Sequence, residues 1–222
     1  MKPIIGIVAR VEYPGETHKL VIEEEYRMAI IKHGGIPLCI CPCGNIDYTT
    51  TRFSNQEELT DEEKKMLIEQ IKLCNGLLLP GGFKINKFDR FIAQYAIEND
   101  IPMLGICLGM QVIASYGREL WNEKNNSFIN HKVKGLAHNI TIDKSSKLFS
   151  IIKTDKIMVN SRHLYHVLPN DYFAISSVSD DNYIESIEIK DKKFIIGVQW
   201  HPESMNDPYS TKLFKAFLNA SE

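Results

Sequence analysis

The chain has 222 residues and a formal net charge of −2 at pH 7, and 44% of its residues are hydrophobic and 24% charged. This length fits one domain with a sizeable core, and the composition excludes collagen-like, fibrous and disordered proteins. The near balance of charge gives no electrostatic reason to bind nucleic acid or an anionic membrane surface. We therefore predict a single domain over residues 1–222 with neither a nucleic-acid nor a membrane partner.

Two features of the sequence favour the cytoplasm. The apolar run at residues 3–9 ends at Arg10 and is too short for a secretory signal or a membrane span. The five cysteines are an odd number, which does not suit a full disulfide framework. We expect a cytoplasmic protein with reduced thiols, whose oligomeric state the sequence leaves open, a homo-oligomer included.

The first half of the chain alternates strands and helices. Predicted strands lie at residues 4–8, 36–41, 76–80 and 101–106, and predicted helices at about 21–32, 60–73, 89–98 and 108–116. A capping-box pattern from Thr60 to Glu63 marks the start of the second helix. This alternation predicts a parallel sheet with right-handed crossovers.

Beyond Tyr116 the pattern changes to short β-rich runs with few helical stretches, at residues 138–142, 157–159, 173–178, 183–189 and 194–200. A final helix begins with Asp207 as N-cap and Pro208 at the first helical position. The predicted fold class is α/β, with a central, mostly parallel sheet flanked by helices and a smaller antiparallel portion in the C-terminal half.

The segment Gly105-Ile106-Cys107-Leu108-Gly109 carries the strongest chemical signal. It joins an apolar strand to a helix, as in a nucleophile elbow with cysteine in the place of serine. Small residues on either side let the chain double back, and Gly105 and Gly109 meet that need. A buried cysteine that only packs the junction is the structural alternative.

A cysteine nucleophile needs a base, and the base needs a group that orients it. His201 ends an extended run and is followed by Pro202 and Glu203. Residues two apart in an extended segment point to the same side, so His201 and Glu203 can converge on one pocket. A strand end with a solvated pair is the alternative for these residues taken alone.

An acyl-transfer site also needs two backbone N–H groups that bind the oxyanion. One follows the nucleophile, at Leu108, and Gly82 of the Gly81-Gly82 pair supplies a candidate for the other. Pro-Gly-Gly is usually only a turn, but this one ends a strand expected beside the nucleophile strand. Ligands of open α/β sheets collect at the carboxyl ends of strands.

Three motifs together resemble the class I glutamine amidotransferase family: LLLPGG at 77–82, GICLGMQ at 105–111 and GVQWHPE at 197–203. The resemblance implies its flavodoxin-like three-layer sandwich and assigns Cys107 as nucleophile with His201 and Glu203 as partners. It also implies Gly82 and Leu108 as oxyanion donors and Gln111 near the glutamyl moiety.

Within that family, the segment from Val159 to His163 resembles the γ-glutamyl-γ-aminobutyrate hydrolase group of γ-glutamyl peptidases. The substrate-binding candidates that follow are Gly81, Gln111, Asn160, Ser161 and His163, where His163 is equally compatible with a structural loop histidine. The chain departs from the group at two places. A short segment at 83–88 replaces a long acidic loop, and Tyr165 stands where a glutamine is usual.

The function predicted from these residues is hydrolysis of γ-glutamyl amides, small-molecule substrates, through a thioester on Cys107. Lys84 and Lys87, in the short segment, would favour a leaving group that carries a carboxylate. The alternative is a glutaminase subunit that passes ammonia to a separate synthetase. A catalytically silent binding module is disfavoured because nucleophile, base and orienting group are all present.

No cofactor or metal is required by this chemistry, and we predict none. Cys39, Cys41 and Cys43 alternate along an extended run, but they lack the distant ligand pair of a zinc site. His131 and His138 are interpreted as structural residues.

Overall fold

Strands of the protein are short runs rich in Ile, Val and Leu, and each helix that follows one buries an apolar stripe. The structure, a computed structural model, describes residues 1–12, 18–46, 48, 53–118, 122–127 and 129–222. The helices are α1 (Glu24–Lys32), α2 (Asp61–Lys72), α3 (Lys87–Glu98), α4 (Leu108–Ala114), α5 (Lys147–Ile152) and α6 (Pro208–Ala220). The strands are β1 (Ile4–Val8), β2 (Arg10–Glu12), β3 (Lys19–Val21), β4 (Ile36–Ile40), β5 (Gly76–Leu79), β6 (Met103–Ile106), β7 (Asn122–Lys124), β8 (Lys132–Ile142), β9 (Lys156–Arg162), β10 (Tyr165–Val167), β11 (Phe173–Ser179), β12 (Ile184–Ile189) and β13 (Ile195–Val198).

In the described part of the chain, eleven strands form one sheet. Nine follow the order β4-β1-β5-β6-β13-β12-β11-β8-β9, and β10 and β7 extend the sheet from β12, while β2 pairs with β3 separately. The strands from β4 to β13 are parallel, and the pairs from β13 onward are antiparallel. This arrangement confirms the predicted α/β fold and its antiparallel C-terminal portion.

Two apolar clusters hold helices to the sheet. One contains buried side chains of α2, α3 and α4, and the other contains those of α1, α5 and α6. Because each strand side chain points to the face opposite that of its neighbour, strands buried on both faces read as continuous apolar runs. The layers are therefore helix, sheet and helix, with β6 near the middle of the sheet.

Helix ends follow the predicted capping residues. Thr60 accepts a hydrogen bond from the Glu63 N–H at 3.2 Å, and the Glu63 carboxylate accepts one from the Thr60 N–H at 2.7 Å. Asp207 accepts from the N–H groups of the first turn of α6. Helix α3 begins two residues before the predicted start, because Asn86 and Asp89 form a second capping box there.

Several elements lie where the sequence predicted none. They are α5, which Ser146 caps, the β2–β3 pair, and the short strands β7 and β10. Strand β8 begins at Lys132, six residues before its predicted start, because irregular register with β9 hides the alternation in its first half. Among the described residues, no helix combines the length and hydropathy that crossing a membrane requires.

Candidate active site

Cys107 lies at the turn from β6 into α4 with φ of 52° and ψ of −105°, a conformation rarely adopted by a residue with a side chain. A Cβ on Gly105 would lie 2.7 Å from the backbone of Gly109, and a Cβ on Gly109 would lie 2.0 Å from the Leu79 carbonyl oxygen. Only glycine fits at either position. Close packing on both sides therefore holds Cys107 in its strained turn.

Strand pairing brings the second candidate residue to the same edge of the sheet. The Cys107 N–H donates to the carbonyl oxygen of Val198, the last residue of β13, at 2.8 Å. The chain then continues to His201 within three residues. Parallel pairing of β6 with β13 thus unites parts of the chain that lie 94 residues apart in sequence.

His201 and Glu203 form a short hydrogen bond, with 2.6 Å between His201 Nδ1 and Glu203 Oε1. Their side chains are 10% and 2% exposed. The prediction that they converge through an extended segment is wrong in its geometry, because residues 202–204 form a 3₁₀ turn and β13 ends at Val198. The turn brings the carboxylate back onto the imidazole.

The environment of His201 stabilises its protonated form. Burial by itself would lower the pKa of His201, but hydrogen bonds with Cys107 and Glu203, and the negative charge of both groups, raise this pKa to about 10. An imidazolium beside a cysteine sulfur is the arrangement that supports a thiolate nucleophile. These three side chains can therefore carry nucleophilic chemistry on an acyl group.

Tyr26 of α1 supports both the histidine and the Pro-Gly-Gly turn. Its hydroxyl accepts a hydrogen bond from the Gly81 N–H at 2.9 Å and lies 3.4 Å from His201 Nδ1. Burial raises the pKa of Tyr26, and the charges of Glu203 and Cys107 raise it further, so the phenol keeps its proton. A Cβ on Gly81 would lie 2.6 Å from this hydroxyl and 2.9 Å from the His201 ring.

Arg10 determines how the same turn is oriented. Its Nε donates to the carbonyl oxygens of Pro80 and Gly81, each at 3.1 Å, and its Nη1 donates to Asp89 at 2.5 Å. A peptide unit is planar and trans, so its N–H points away from its carbonyl oxygen. The Gly82 N–H, in the same unit as the Gly81 carbonyl, is thereby directed away from Arg10, and it has no hydrogen-bond partner among the described residues.

Arg10 and Asp89 form a buried ion pair, with Asp89 fully enclosed. Burial raises the pKa of Asp89, and the Arg10 guanidinium and the Asn86 N–H oppose that effect. Neither this pair nor Tyr26 was predicted from the sequence. Their partners lie 55 to 175 residues away in the chain, and no local pattern marks them.

Asn160, a candidate for substrate binding, contacts the backbone of His201. Its Nδ2 donates to the His201 carbonyl oxygen at 2.9 Å, and its Oδ1 accepts from the His201 N–H at 2.8 Å. Both polar ends of the amide are thereby occupied. These contacts favour a positioning role for Asn160, and substrate binding by this residue stays a prediction.

Gln111 lies on α4, four residues after Cys107, and is 5% exposed. Its Nε2 is 3.4 Å from both the Tyr165 carbonyl oxygen and Gln199 Oε1, and its Oε1 accepts from Asn122 at 2.9 Å. The Gln111 side chain, which is predicted to contact a glutamyl group, is therefore already surrounded by β7, β10 and the segment after β13.

Ser161 and His163, the remaining candidates, point into a second cluster of buried polar groups. The Ser161 hydroxyl donates to the His131 carbonyl oxygen at 3.0 Å. His163 Nε2 lies 3.6 Å from Glu185 Oε1. The structure therefore brings together Cys107, His201, Glu203 and the Gly81-Gly82 turn, and it gives Ser161 and His163 different neighbours.

The chain is similar in sequence and in fold to proteins of one known family. The family model for class I glutamine amidotransferases matches residues 43–220. A glutamine amidotransferase-like protein of Rickettsia prowazekii is 28% identical over all of this chain and 98% of its own length. The CTP synthase of Lactobacillus johnsonii is 33% identical over 78% of this chain, which spans only 39% of that protein. The acivicin-bound CTPS glutaminase domain of Trypanosoma brucei has the same fold, with a TM-score of 0.66 and 20% identity over 99% of this chain and 94% of that one.

Proposed function

Because the chain belongs to the class I glutamine amidotransferase family, we propose that it hydrolyses γ-glutamyl amide bonds through a thioester on Cys107. The observation that carries this proposal is the buried series from Cys107 to His201 to Glu203 at the carboxyl edge of the central strands. It contains a nucleophile, a proton carrier and a group that orients the carrier.

The first half of the reaction forms the thioester. The Cys107 thiolate attacks the γ-carbonyl carbon, and the carbonyl π electrons move to oxygen as the S–C bond forms. His201, protonated, gives its Nε2 proton to the departing amine as the C–N bond breaks and the carbonyl re-forms. The products are an amine and the glutamyl thioester.

The second half uses the same groups in reverse. Neutral His201 takes a proton from water, the hydroxide attacks the thioester carbon, and the C–S bond breaks to release glutamate. The thiolate and the imidazolium are restored together. Glu203 keeps the Nδ1 proton of His201 in place throughout, so that Nε2 carries each transfer.

Two backbone N–H groups are assigned to the oxyanion of both tetrahedral intermediates. The Leu108 N–H begins α4, where no preceding helical carbonyl is in reach. The Gly82 N–H is oriented by the Arg10 contact with the other side of its peptide unit. A donor that needs no reorientation stabilises developing charge best, which gives Arg10 a positioning role.

The substrate class rests on the narrower resemblance and on the rim of the cleft. Gly82 and Phe83 are exposed, which leaves room for an amine larger than ammonia on this side. The predicted attraction of Lys87 for a carboxylate loses support, because its ammonium pairs with Glu58 and lies 4.3 Å above the Phe53 ring. We assign γ-glutamyl conjugates such as γ-glutamyl-γ-aminobutyrate on the exposure of Gly82 and Phe83 and on the motif from Val159 to His163.

A second candidate function is a glutaminase that supplies ammonia to a separate synthetase. The sequence similarity to part of a CTP synthase, and the shared fold with a CTPS glutaminase domain, favour it. In that case glutamine is the substrate, and its turnover rises when the partner docks.

The two candidates are separated by kcat/KM for three substrates: γ-glutamyl-γ-aminobutyrate, glutamine, and γ-glutamyl-butylamide as a control of similar length without the carboxylate. Glutamate release is the readout for each. Faster cleavage of both larger amides than of glutamine supports the hydrolase, and the butylamide isolates the contribution of the carboxylate. A clear preference for glutamine, increased by a copurifying synthetase, supports the ammonia supplier instead.

A further inference from the structure

Four buried side chains that the proposed reaction does not use converge in the antiparallel half of the sheet. They are His131, which precedes β8, His138 in β8, His163 after β9, and Glu185 in β12. Each of these side chains is 3% exposed or less. One ligand-type atom from each lies within 4.8 Å of every other. We call these four residues the histidine cluster.

The three imidazoles face the same carboxylate oxygen. Glu185 Oε1 is 3.7 Å from His131 Nδ1, 3.5 Å from His138 Nε2 and 3.6 Å from His163 Nε2. None of these separations is a hydrogen bond, which for nitrogen and oxygen has a distance of about 2.7–3.2 Å. Among the described residues, His138 Nε2, His163 Nε2 and both oxygens of Glu185 have no hydrogen-bond partner.

The outer nitrogen of each ring has an acceptor, and this determines where the ring proton lies. His163 Nδ1 donates to the Tyr165 carbonyl oxygen at 2.9 Å, and His138 Nδ1 donates to the Asn139 carbonyl oxygen at 3.2 Å. His131 Nε2 donates to the Asp181 carboxylate at 2.9 Å. In neutral His138 and His163, the nitrogen that faces Glu185 is therefore the one that carries a lone pair. His131 Nδ1 also contacts the Ser161 hydroxyl at 3.2 Å, and it carries a lone pair when the ring is neutral and Nε2 holds the proton for Asp181.

The lone pairs of His138 and His163 repel the Glu185 carboxylate in this buried site, and burial without a partner costs free energy for each of these groups. A cation at their centre converts this repulsion into coordination. From this geometry we propose that the histidine cluster binds one Zn²⁺ ion in a closed structural site with three imidazole ligands and one carboxylate ligand. Neutral imidazole and carboxylate are ordinary zinc ligands, and four protein ligands are typical of structural sites.

The dimensions fit a modest contraction around the ion. Four ligands at about 2.0–2.1 Å from a tetrahedral zinc ion lie about 3.3 Å from one another. The distances from Glu185 to the three histidines exceed that by less than half an ångström. The other ligand atoms, which lie within 4.8 Å of one another, would approach by up to about 1.5 Å when the ion binds.

Asp181 completes the arrangement from outside the ligand sphere. A carboxylate that accepts the second N–H of a metal-bound histidine fixes the tautomer and raises the basicity of the ligand. Asp181 also accepts hydrogen bonds from Ser127 and Ser179, so it is itself held in place. An open surface depression, lined by His131 and His163 with Ser127 and Asn130, gives a path of entry for the ion.

The site would join three segments that support the catalytic loop. Asn160, which holds the His201 backbone, lies on β9 just before the Ser161 contact with His131. The Glu185 carbonyl oxygen accepts from the Gln199 N–H at 2.8 Å, two residues before His201. Zinc therefore stabilises the part of the sheet on which His201 rests, whether or not the proposed reaction is correct.

The test is metal content of the full chain, purified without a histidine tag, loaded with ZnCl₂ and dialysed against metal-free buffer. We expect one zinc per chain and a rise in Tm on loading. X-ray absorption at the zinc edge should show nitrogen and oxygen ligands with imidazole scattering and no sulfur. Because these measurements use the wild-type protein, they do not depend on whether a variant folds.

Variants then locate the ion. Glu185→Gln and His163→Gln should lose stoichiometric zinc, and Asp181→Asn should weaken zinc affinity by about 10–100-fold while leaving the ligands in place. The matched control is His166→Gln, a histidine of β10 that contacts Glu123 and Asn125 outside the cluster. The second control, with serine at Cys39, Cys41 and Cys43, should retain all of its zinc.

Three results would overturn the proposal. The first is a folded wild-type protein that binds no zinc after loading. The second is zinc with sulfur ligands, or zinc that is lost when the three cysteines are replaced. The third is unchanged zinc affinity in a folded Glu185→Gln variant. None of these results bears on hydrolysis by Cys107, so the two proposals fail separately.

Discussion

Two buried pairings of histidine with glutamate lie near each other in this sheet, and they differ in distance. In the proposed catalytic pair, His201 Nδ1 and Glu203 Oε1 are 2.6 Å apart. In the histidine cluster, Glu185 Oε1 is 3.5 to 3.7 Å from each of three imidazoles. The short distance accommodates a shared proton, whereas the longer ones leave room for an ion between the ligands.

The difference follows from what occupies the far side of each ring. His201 has Cys107 beyond it, so its second nitrogen faces the proposed nucleophile. The cluster histidines direct their far nitrogens to backbone carbonyl oxygens or to Asp181. A histidine that connects two ionisable groups can transfer protons. A histidine anchored at its outer nitrogen presents its lone pair inward as a ligand.

Replacement of the proposed nucleophile, Cys107, is the strongest test of the role assigned to the His201–Glu203 pair. Cys107→Ala should reduce kcat/KM for the best γ-glutamyl amide by about 10⁴-fold or more, because no thioester can form. The smaller side chain fits the elbow, so circular dichroism and Tm should stay near those of the wild type. The control with serine at Cys39, Cys41 and Cys43 should keep nearly full activity. Wild-type turnover by a folded Cys107→Ala protein would contradict the assignment.

Loss of the proton carrier should cost somewhat less. His201→Ala leaves the thiol and the backbone donors in place but removes both the imidazolium partner and the acid for the departing amine. We expect kcat to fall by about 10³- to 10⁴-fold, with a smaller change in KM. Single-turnover measurements of thioester formation check this, and equal rates for His201→Ala and wild type would remove His201 from the mechanism.

Local sequence patterns predicted the elbow around Cys107 and the fold that surrounds it. Gly105 and Gly109 each lie two residues from Cys107, and this five-residue pattern predicts the nucleophile elbow. The alternation of strands and helices predicts which strand ends lie at the same edge of the sheet. His201 and Glu203 were correctly predicted to lie together, although a 3₁₀ turn, rather than an extended segment, unites them.

The other residues of the two sites are brought together by long-range contacts, which no local sequence pattern marks. Tyr26 and Arg10 reach the Pro-Gly-Gly turn from elements early in the chain, and each reads as an ordinary helix or strand residue. The histidine cluster gathers residues from 131 to 185, with none of the close ligand spacing of a zinc motif. Two register shifts between β8 and β9, on either side of Leu136, also break the period-two pattern that would have placed His138.

The orienting carboxylate gives a prediction about pH. Hydrogen bonds with Cys107 and Glu203, and the negative charges of both groups, raise the pKa of His201 to about 10, and Glu203→Gln removes the charge-assisted part that Glu203 supplies. Since the protonated form is lost above that pKa, the alkaline limb of the kcat/KM profile should move to lower pH in the variant. The rate at the optimum should fall by about 10- to 1,000-fold. An alkaline limb at the wild-type position would show that Glu203 does not set the protonation of His201.

The smallest effect concerns the hydroxyl that connects His201 to the Pro-Gly-Gly turn. Tyr26→Phe deprives the Gly81 N–H of its acceptor, which costs about 1–2 kcal/mol or roughly five- to thirtyfold in kcat if the turn must be held for the oxyanion. Tyr209→Phe in α6, whose ring packs near Lys212, is the matched control and should be neutral. A fall in Tm with kcat unchanged would limit Tyr26 to stability. A fall in kcat at constant zinc content would show that Tyr26 acts on His201 and the Pro-Gly-Gly turn directly and not through the histidine cluster.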